Sequence, residues 1–406
     1  MRKFISSLLC AFLLTGSFVV PVLAQDSPLT PPVLCGELDE ADCSILESSA
    51  AAMQGVSAYA FDVQYNVLVT GLPEMEVEAV DLTVGVDGVV QIDPEVMAAL
   101  QEIVAMGVTS DAEAMMAAMT DMPAILLDFY AALGFDGTIQ ITMPAELAAL
   151  LSEDSEVPMP ADLTLAFRIV DGMFYMQISN LKELAPDLAE IPDDWIGFDL
   201  VGLMEQSLAQ SSAGQIDESE LAQSMIMAGL SNQILAVMEP FVTVERTDDI
   251  EVSGQTAAVF ISTVDLVEFF SSDEFIDFVR ETVAAIGVDD EETTAQLDEG
   301  LPMMGFLAPM IFGGMEIENE MAIGLDDFYL YAQDFLFRWD LSQIMGLAAM
   351  SDPSLAEAMG DAEPVIEFSF TTSFDQFGEE FELAPPDSVQ IIPLDELAPE
   401  ELDAVF

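Results

Sequence analysis

The chain of 406 residues sets 75 acidic residues against 7 basic ones, has no histidine, and combines a formal net charge of −68 with a mean hydropathy of +0.43. So negative an exterior excludes nucleic acid as a partner, because a polyanion is held only where Lys and Arg replace its counterions, and it is repelled by an anionic membrane surface. The lack of histidine removes Ser-His and Cys-His nucleophiles and the commonest zinc ligand, and the sequence contains no G-x-S-x-G elbow, phosphate loop or dinucleotide fingerprint.

Arg2 and Lys3 precede an apolar run from Phe4 to Val20, and Val22-Leu23-Ala24 forms a cleavage site. The pattern predicts a signal peptide over 1–24 and a secreted protein, extracellular or periplasmic, that begins near Gln25. Cys10 follows Ser7-Leu8-Leu9, a poor lipobox, so lipidation is not expected. No later run promises stable membrane insertion: Leu301 to Met315 is broken by Pro302, Gly305, Pro309, Gly313 and Gly314. Cleavage removes two bases and no acid, leaving 75 acids against Arg168, Lys182, Arg246, Arg280 and Arg338. Each of these is expected to relieve local crowding of carboxylates or, at a cavity mouth, to hold an acidic head group.

Cys35 and Cys43, eight positions apart in an oxidising compartment, are expected to form a structural disulfide. It would pin the N-terminal segment to a helix over Asp39 to Gln54, where Cys43, Ile45, Leu46, Ala50 and Met53 recur at helical spacing. From Tyr59 the period changes to two. Tyr59, Phe61, Val63, Tyr65, Val67 and Val69 point one way while Asp62, Gln64, Asn66 and Thr70 point the other, which predicts a long half-buried strand. A turn at Pro73-Glu74 and a second alternating run from Val80 to Val86 complete a hairpin. Leu163 to Ile169 and Phe174 to Ile178 predict another, with Asp171-Gly172 as its turn. Further strands are expected at Phe241–Arg246, Gln255–Thr263, Glu316–Gly324, Phe328–Ala332, Phe335–Asp340 and Val365–Phe374. Single-faced alternation in hairpins means an antiparallel sheet, whose apolar face must be covered.

Three blocks rich in Ala, Leu and Met, about 94–134, 200–238 and 265–312, are predicted helical and available as that cover. Methionine suits surfaces that accept varied apolar partners, although any single one is as readily core filler. No linker divides the chain. Residues 25–406 read as one α+β domain with these helical insertions or as two similar lobes divided near 240; the second option rests on Phe174-Tyr175-Met176 and Phe328-Tyr329-Leu330, each leading to a Trp and then a helix.

Several segments resemble the LolA/LppX-like lipid and lipoprotein carriers. They are the helix running into the strand at Tyr59, Phe174 to Ile178 followed by Asp193 to Leu200, and Val264-Asp265-Leu266 after a strand. The close, with Phe368 to Phe374, Asp375 to Gly378, Glu382 to Pro386 and Val389 to Pro393, is similar to the terminal strand and proline exit of that superfamily. The resemblance implies a large curved antiparallel half-barrel with helices on its concave face, and a cavity there for acyl chains. Candidate cavity residues are Tyr59, Phe61, Tyr65, Phe167, Phe174, Met176, Trp195, Phe368 and Phe370.

The chain departs from the family in its missing lipobox, added helices and charge. Carboxylate pairs such as Asp193/Asp194, Asp289/Asp290 and Asp326/Asp327 are candidates for glycoside hydrolysis only in the sense that any two of 75 acids are. Val288 to Glu292 lacks the spacing and the glycine of an EF-hand loop. The expectation is therefore a secreted, non-catalytic carrier or sensor of an apolar small molecule or lipid, with no cofactor or metal and an unknown protein partner. The alternative is an extracellular structural or protein-interaction module with a filled core.

Overall fold

Period-two alternation builds the sheet around which the molecule is organised. The structure, a computed structural model, describes residues 33–71, 79–107, 112–153, 160–182, 191–192, 194–213, 234–285, 300–301, 303, 305–351 and 364–394. The export segment 1–24, the Pro73-Glu74 turn and the acidic run 288–292 lie outside the described residues.

In chain order, α1 (Glu40–Gln54) leads into β1 (Ala58–Thr70) and β2 (Ala79–Gln91). Next come α2 (Pro94–Gly107), α3 (Ala112–Ala132), β3 (Gly134–Thr142), α4 (Ala145–Glu153), β4 (Asp162–Val170), β5 (Met173–Gln177), β6 (Trp195–Asp199) and α5 (Leu200–Ala213). The second half runs β7 (Val242–Arg246), β8 (Ile250–Val252), β9 (Gln255–Val264), α6 (Leu266–Ser271), α7 (Asp273–Ala285), β10 (Met315–Gly324), β11 (Leu330–Asp340), α8 (Ser342–Ser351), β12 (Val365–Asp375) and β13 (Gln390–Ile391). The class is α+β, as the alternating strands and Met-rich helices predict.

The thirteen strands among the described residues lie in one open sheet of order β13-β6-β5-β4-β3-β2-β1-β12-β11-β10-β9-β7, with β8 on β9. A meander from β1 to β6 spreads to one side, and a second meander returns from β7 to β12. The two join where β1 pairs with β12, antiparallel, from Ala60↔Asp375 to Thr70↔Val365. A sheet this wide curls. The predicted antiparallel order holds except at one edge, where β13 pairs parallel with β6 over Gln390↔Ile196 and Ile391↔Gly197. The sequence cannot show that joint, because two residues carry no period.

Both predicted hairpins form. Asp171 and Gly172, at φ +52° and +74°, make the left-handed two-residue turn between β4 and β5 that Asp-Gly favours. Two expectations need correction. Residues 328–332 and 335–340 are not separate strands: β11 runs unbroken from Leu330 to Asp340, because Gln333-Asp334 contains no breaker and both neighbours hold it in register. The helical block 94–134 ends at Ala132, and Gly134 opens a strand the alternation did not reveal. Its pattern is masked by Gly137, which lies opposite Gly88 where the backbones close in: a Cβ on Gly88 would meet Asp136 O at 2.6 Å.

The Cys35–Cys43 disulfide is present and ties the segment before α1 to that helix, whose N-cap is Asp39. Helix α1 lays Ile45 and Leu46 against Val242, Val244, Phe260 and Ile323 of β7, β9 and β10. The main core joins Met53 of α1, Val56 just beyond it, Met97 of α2 and Leu203 of α5 to the inner residues of β1 to β6. Phe269, Phe275 and Phe278 of α6 and α7 form a smaller cluster with Phe241. Among the described residues, no helix is long and apolar enough to cross a membrane.

On the polar face of the sheet, Asp62 sits opposite Asp87 across β1 and β2. Partial burial, then the charge of Asp62, raises the Asp87 carboxyl above its ordinary pKa. A carboxyl whose pKa is higher folded than unfolded binds extra proton in the folded state, so its contribution is best below the unfolded value and is lost as pH rises through the folded one. Asp87→Asn is therefore expected to stabilise the protein at neutral pH by about 0.2–1 kcal/mol, the range for a directly opposed pair, with the gain disappearing near pH 3. Thermal melts at both pH values check this. Asp162→Asn, which removes the same charge opposite Thr142, is the control for net charge.

Candidate functional site

Antiparallel partners share a face of the sheet, so the register shows how far the apolar surface extends. From Tyr59, Phe61, Val63, Tyr65, Val67 and Val69 of β1 it continues through Val90, Val86, Val84 and Leu82 of β2 to Phe135, Ile139 and Ile141 of β3. It then takes in Leu163, Leu165, Phe167 and Ile169 of β4, followed by Phe174 and Met176. In the other direction it passes through Ile366, Phe368, Phe370, Thr372 and Phe374 of β12 to Gln333, Phe335, Phe337 and Trp339 of β11. One face thus spans both meanders.

Burial along this face is graded. In the central strands, Tyr59, Phe61, Val63, Val86, Val90, Thr372 and Phe374 are buried, whereas Tyr65, Val67, Val69, Leu82, Val84, Phe370, Phe368 and Ile366 at the opposite strand ends are half-buried. Phe335, Phe337 and Trp339 of β11 are half-buried at the same ends. Here the rings touch: Phe335 stacks on Phe370 at 5.2 Å between centroids, and Tyr65 lies 5.9 Å from Phe370 and 6.3 Å from Phe368. Desolvation raises the Tyr65 phenol above its ordinary pKa, so it stays protonated and able to donate.

The nine candidate residues fall into three groups. Tyr65, Phe368 and Phe370 meet at the half-buried end. Tyr59, Phe61, Phe167, Phe174 and Met176 lie in the main core, with Phe167 and Met176 only 2% exposed. Trp195 departs from the expected concave-face position. It pairs with Gln177, while its neighbours Ile196 and Phe198 pair with Met176 and Phe174; alternation therefore puts Trp195 on the polar face. There Arg168 covers its ring at 5.3 Å and forms an ion pair with Asp136 at 3.0 Å.

The other bases are also occupied by acids or face them. Lys182 is paired with Asp194 at 3.0 Å and Arg280 with Asp277 at 3.2 Å. Arg246, whose register parity matches the apolar face, is held by Asp249 and Asp42, and these bonds raise its pKa further. Arg338 lies on the polar face between Glu316 and Glu367. Among the proposed carboxylate pairs, Asp327 accepts from the Tyr331 hydroxyl at 2.7 Å and from Tyr329 N in the β10–β11 turn; Asp193, Asp289 and Asp290 lie outside the described residues.

Sequence reading missed Phe335, Phe337 and a polar crossing of the same face. Asn319 of β10 pairs with Phe335 and with Ser262 of β9, while Gln333 pairs with Thr372 and Met321. The signal was available: Asn319 and Gln333 occupy inward positions of strands that otherwise alternate. A separate cleft of about 590 Å³ lies beyond the sealed strand ends, walled in part by Asp93, Leu133, Asp171, Glu380 and Phe381. None of the nine candidates lines it.

No family model and no curated protein matches the chain. Solved structures similar to it include the Mycobacterium tuberculosis lipoprotein LppX, at 9% identity and a TM-score of 0.28, over 86% of this chain and 100% of that one. LprF from Mycobacterium bovis is similar at 9% identity and a TM-score of 0.27, over 87% and 100%. Likenesses this distant do not bear on ligand or activity.

The burial gradient separates packing from site. Phe167→Ala should cost about 3–5 kcal/mol of unfolding free energy, the usual range for a core phenylalanine, whereas Phe370→Ala should cost less than half as much. Urea melts of the two variants against the parent chain check the difference.

Proposed function

We propose that the protein is a secreted, non-catalytic carrier or sensor that holds an apolar ligand against the half-buried end of its sheet. The observation that carries this reading is the gradient on one continuous face, sealed by core helices at one end and presenting Tyr65, Phe335, Phe368 and Phe370 at the other. An acyl chain laid there gains about 0.8 kcal/mol per methylene removed from water, enough for useful affinity without a charged contact. The chemistry is burial, with no cofactor in the scheme.

The Cys35–Cys43 disulfide is consistent with an oxidising compartment, and the signal-peptide pattern over 1–24 supports export. High negative charge keeps such a carrier soluble and monodisperse while its interior remains oily.

Native mass spectrometry of the protein purified from its own host, followed by organic extraction, tests the reading. The expected result is a co-purifying lipid released by solvent, with uptake of a fluorescent fatty-acyl probe by the stripped protein. Phe370→Ala should weaken that uptake roughly fivefold or more while the fold persists, as expected for the loss of about 1 kcal/mol or more of aromatic contact. Repeated absence of lipid together with no probe uptake would instead favour an interaction module with a filled core.

A further inference from the structure

We infer that the ligand is an uncharged amphiphile, whose hydrogen-bonding head is read by Asn319 and Gln333 where they cross the apolar face. This rests on the carrier reading and adds a ligand class to it.

Two observations converge. The first is the charge inventory of the face. Between β2 and β9 its strand positions are filled by Val, Leu, Ile, Met, Phe, Tyr, Trp, Ala, Gly, Thr, Ser, Asn and Gln; no Asp, Glu, Lys or Arg stands among them. Beyond β9, Arg246 has the matching parity on β7 but is held by Asp249 and Asp42. On the strand positions of this face, then, a buried carboxylate or phosphate would meet no base, and a buried ammonium would meet no carboxylate. A charge taken out of water without a partner is penalised heavily. The 75 acids elsewhere on the chain add a field that repels anions before they arrive.

The second observation is the polar crossing itself. Gln333 Nε2 donates to Asn319 Oδ1 at 2.7 Å, and Ser262 Oγ donates to the Asn319 carbonyl at 3.2 Å. Asn319, Gln333 and Ser262 are half-buried, and Thr372, next in line, is buried. The single amide–amide bond leaves a whole amide nitrogen, Asn319 Nδ2, and a whole amide oxygen, Gln333 Oε1, without a partner among the described residues. If both amides are turned over the two roles exchange, but one unpartnered amide nitrogen and one unpartnered amide oxygen remain. Two apolar side chains would fill these positions without the desolvation penalty of two amides. Phe335, opposite Asn319, and Phe370 beyond it place the aromatic surface directly alongside. A molecule with chains on the rings and an ester, amide or hydroxyl over Asn319 and Gln333 satisfies both halves of the surface.

Fluorescence titration of the full mature protein tests this with four pyrene-labelled probes: a diacylglycerol, the phosphatidic acid and the trimethylammonium lipid with the same chains, and dodecylpyrene. Salt of about 0.5 M shortens the reach of the global field to within a few ångströms, so remaining differences are local. The diacylglycerol is expected to bind at least tenfold more tightly than either charged lipid. N319L/Q333L should weaken diacylglycerol binding roughly five- to tenfold, the loss of about one net hydrogen bond, and leave dodecylpyrene unchanged. The near-isosteric Gln333→Met, checked by circular dichroism, should lose roughly threefold on the same scale and guards against misfolding of the double variant. Equal binding of a charged lipid, or diacylglycerol binding indifferent to both variants, overturns the inference while dodecylpyrene binding keeps the carrier reading. Failure of all four probes overturns both.

Discussion

Pairing of the first long strand with the last organises everything else in this molecule. β1 and β12 are far apart in sequence, yet their register aligns Phe61 with Phe374 and Tyr65 with Phe370. Because side chains alternate with a period of two, a slip of one residue would turn the inner face of one meander outward. With the register held, two meanders present a single apolar surface. The helices then have one face to cover, and whatever they leave incompletely covered is also on that face.

Charge is sorted by the same register. The face opposite the helices carries Asp62, Asp87, Asp136, Glu316, Glu318, Glu320, Asp334 and Glu367, whereas the inner positions between β2 and β9 carry none. The sheet therefore separates a strongly negative outside from an uncharged inside across the thickness of one layer. The arrangement suits a soluble protein with an oily interior, since the acids stay on the outer face and none has to enter the core for it to close. Where two acids do face each other, as at Asp62 and Asp87, partial burial and repulsion shift the titration.

The alternation that defines strands is a local property, and most of it was legible: both long hairpins, the Asp-Gly turn, the helix over 40–54 and the Cys35–Cys43 bridge follow from spacing within a few residues. β3 escaped notice because Gly134 and Gly137 interrupt its pattern, and those glycines answer to a backbone contact with β2 that no local window contains. Trp195 is different. Its neighbours Ile196 and Phe198 carry the inward parity, so its outward position is legible from phase, although its aromatic character suggests the inner face. Asn319 and Gln333 are the reverse case: polar residues at inward positions look like breaks in a pattern until their strands are adjacent.

The amino-acid sequence by itself determined the long alternating strands, which side of each is oily, and that the surface is acidic, because these depend on neighbours one to four positions away. Only the tertiary structure decided that β1 lies beside β12, that one end of the shared face is sealed while the other stays half-buried, and that Asn319 meets Gln333 on it. Those outcomes depend on contacts between residues distant in the chain, whose relative positions come from strand register and helix packing rather than from local periodicity.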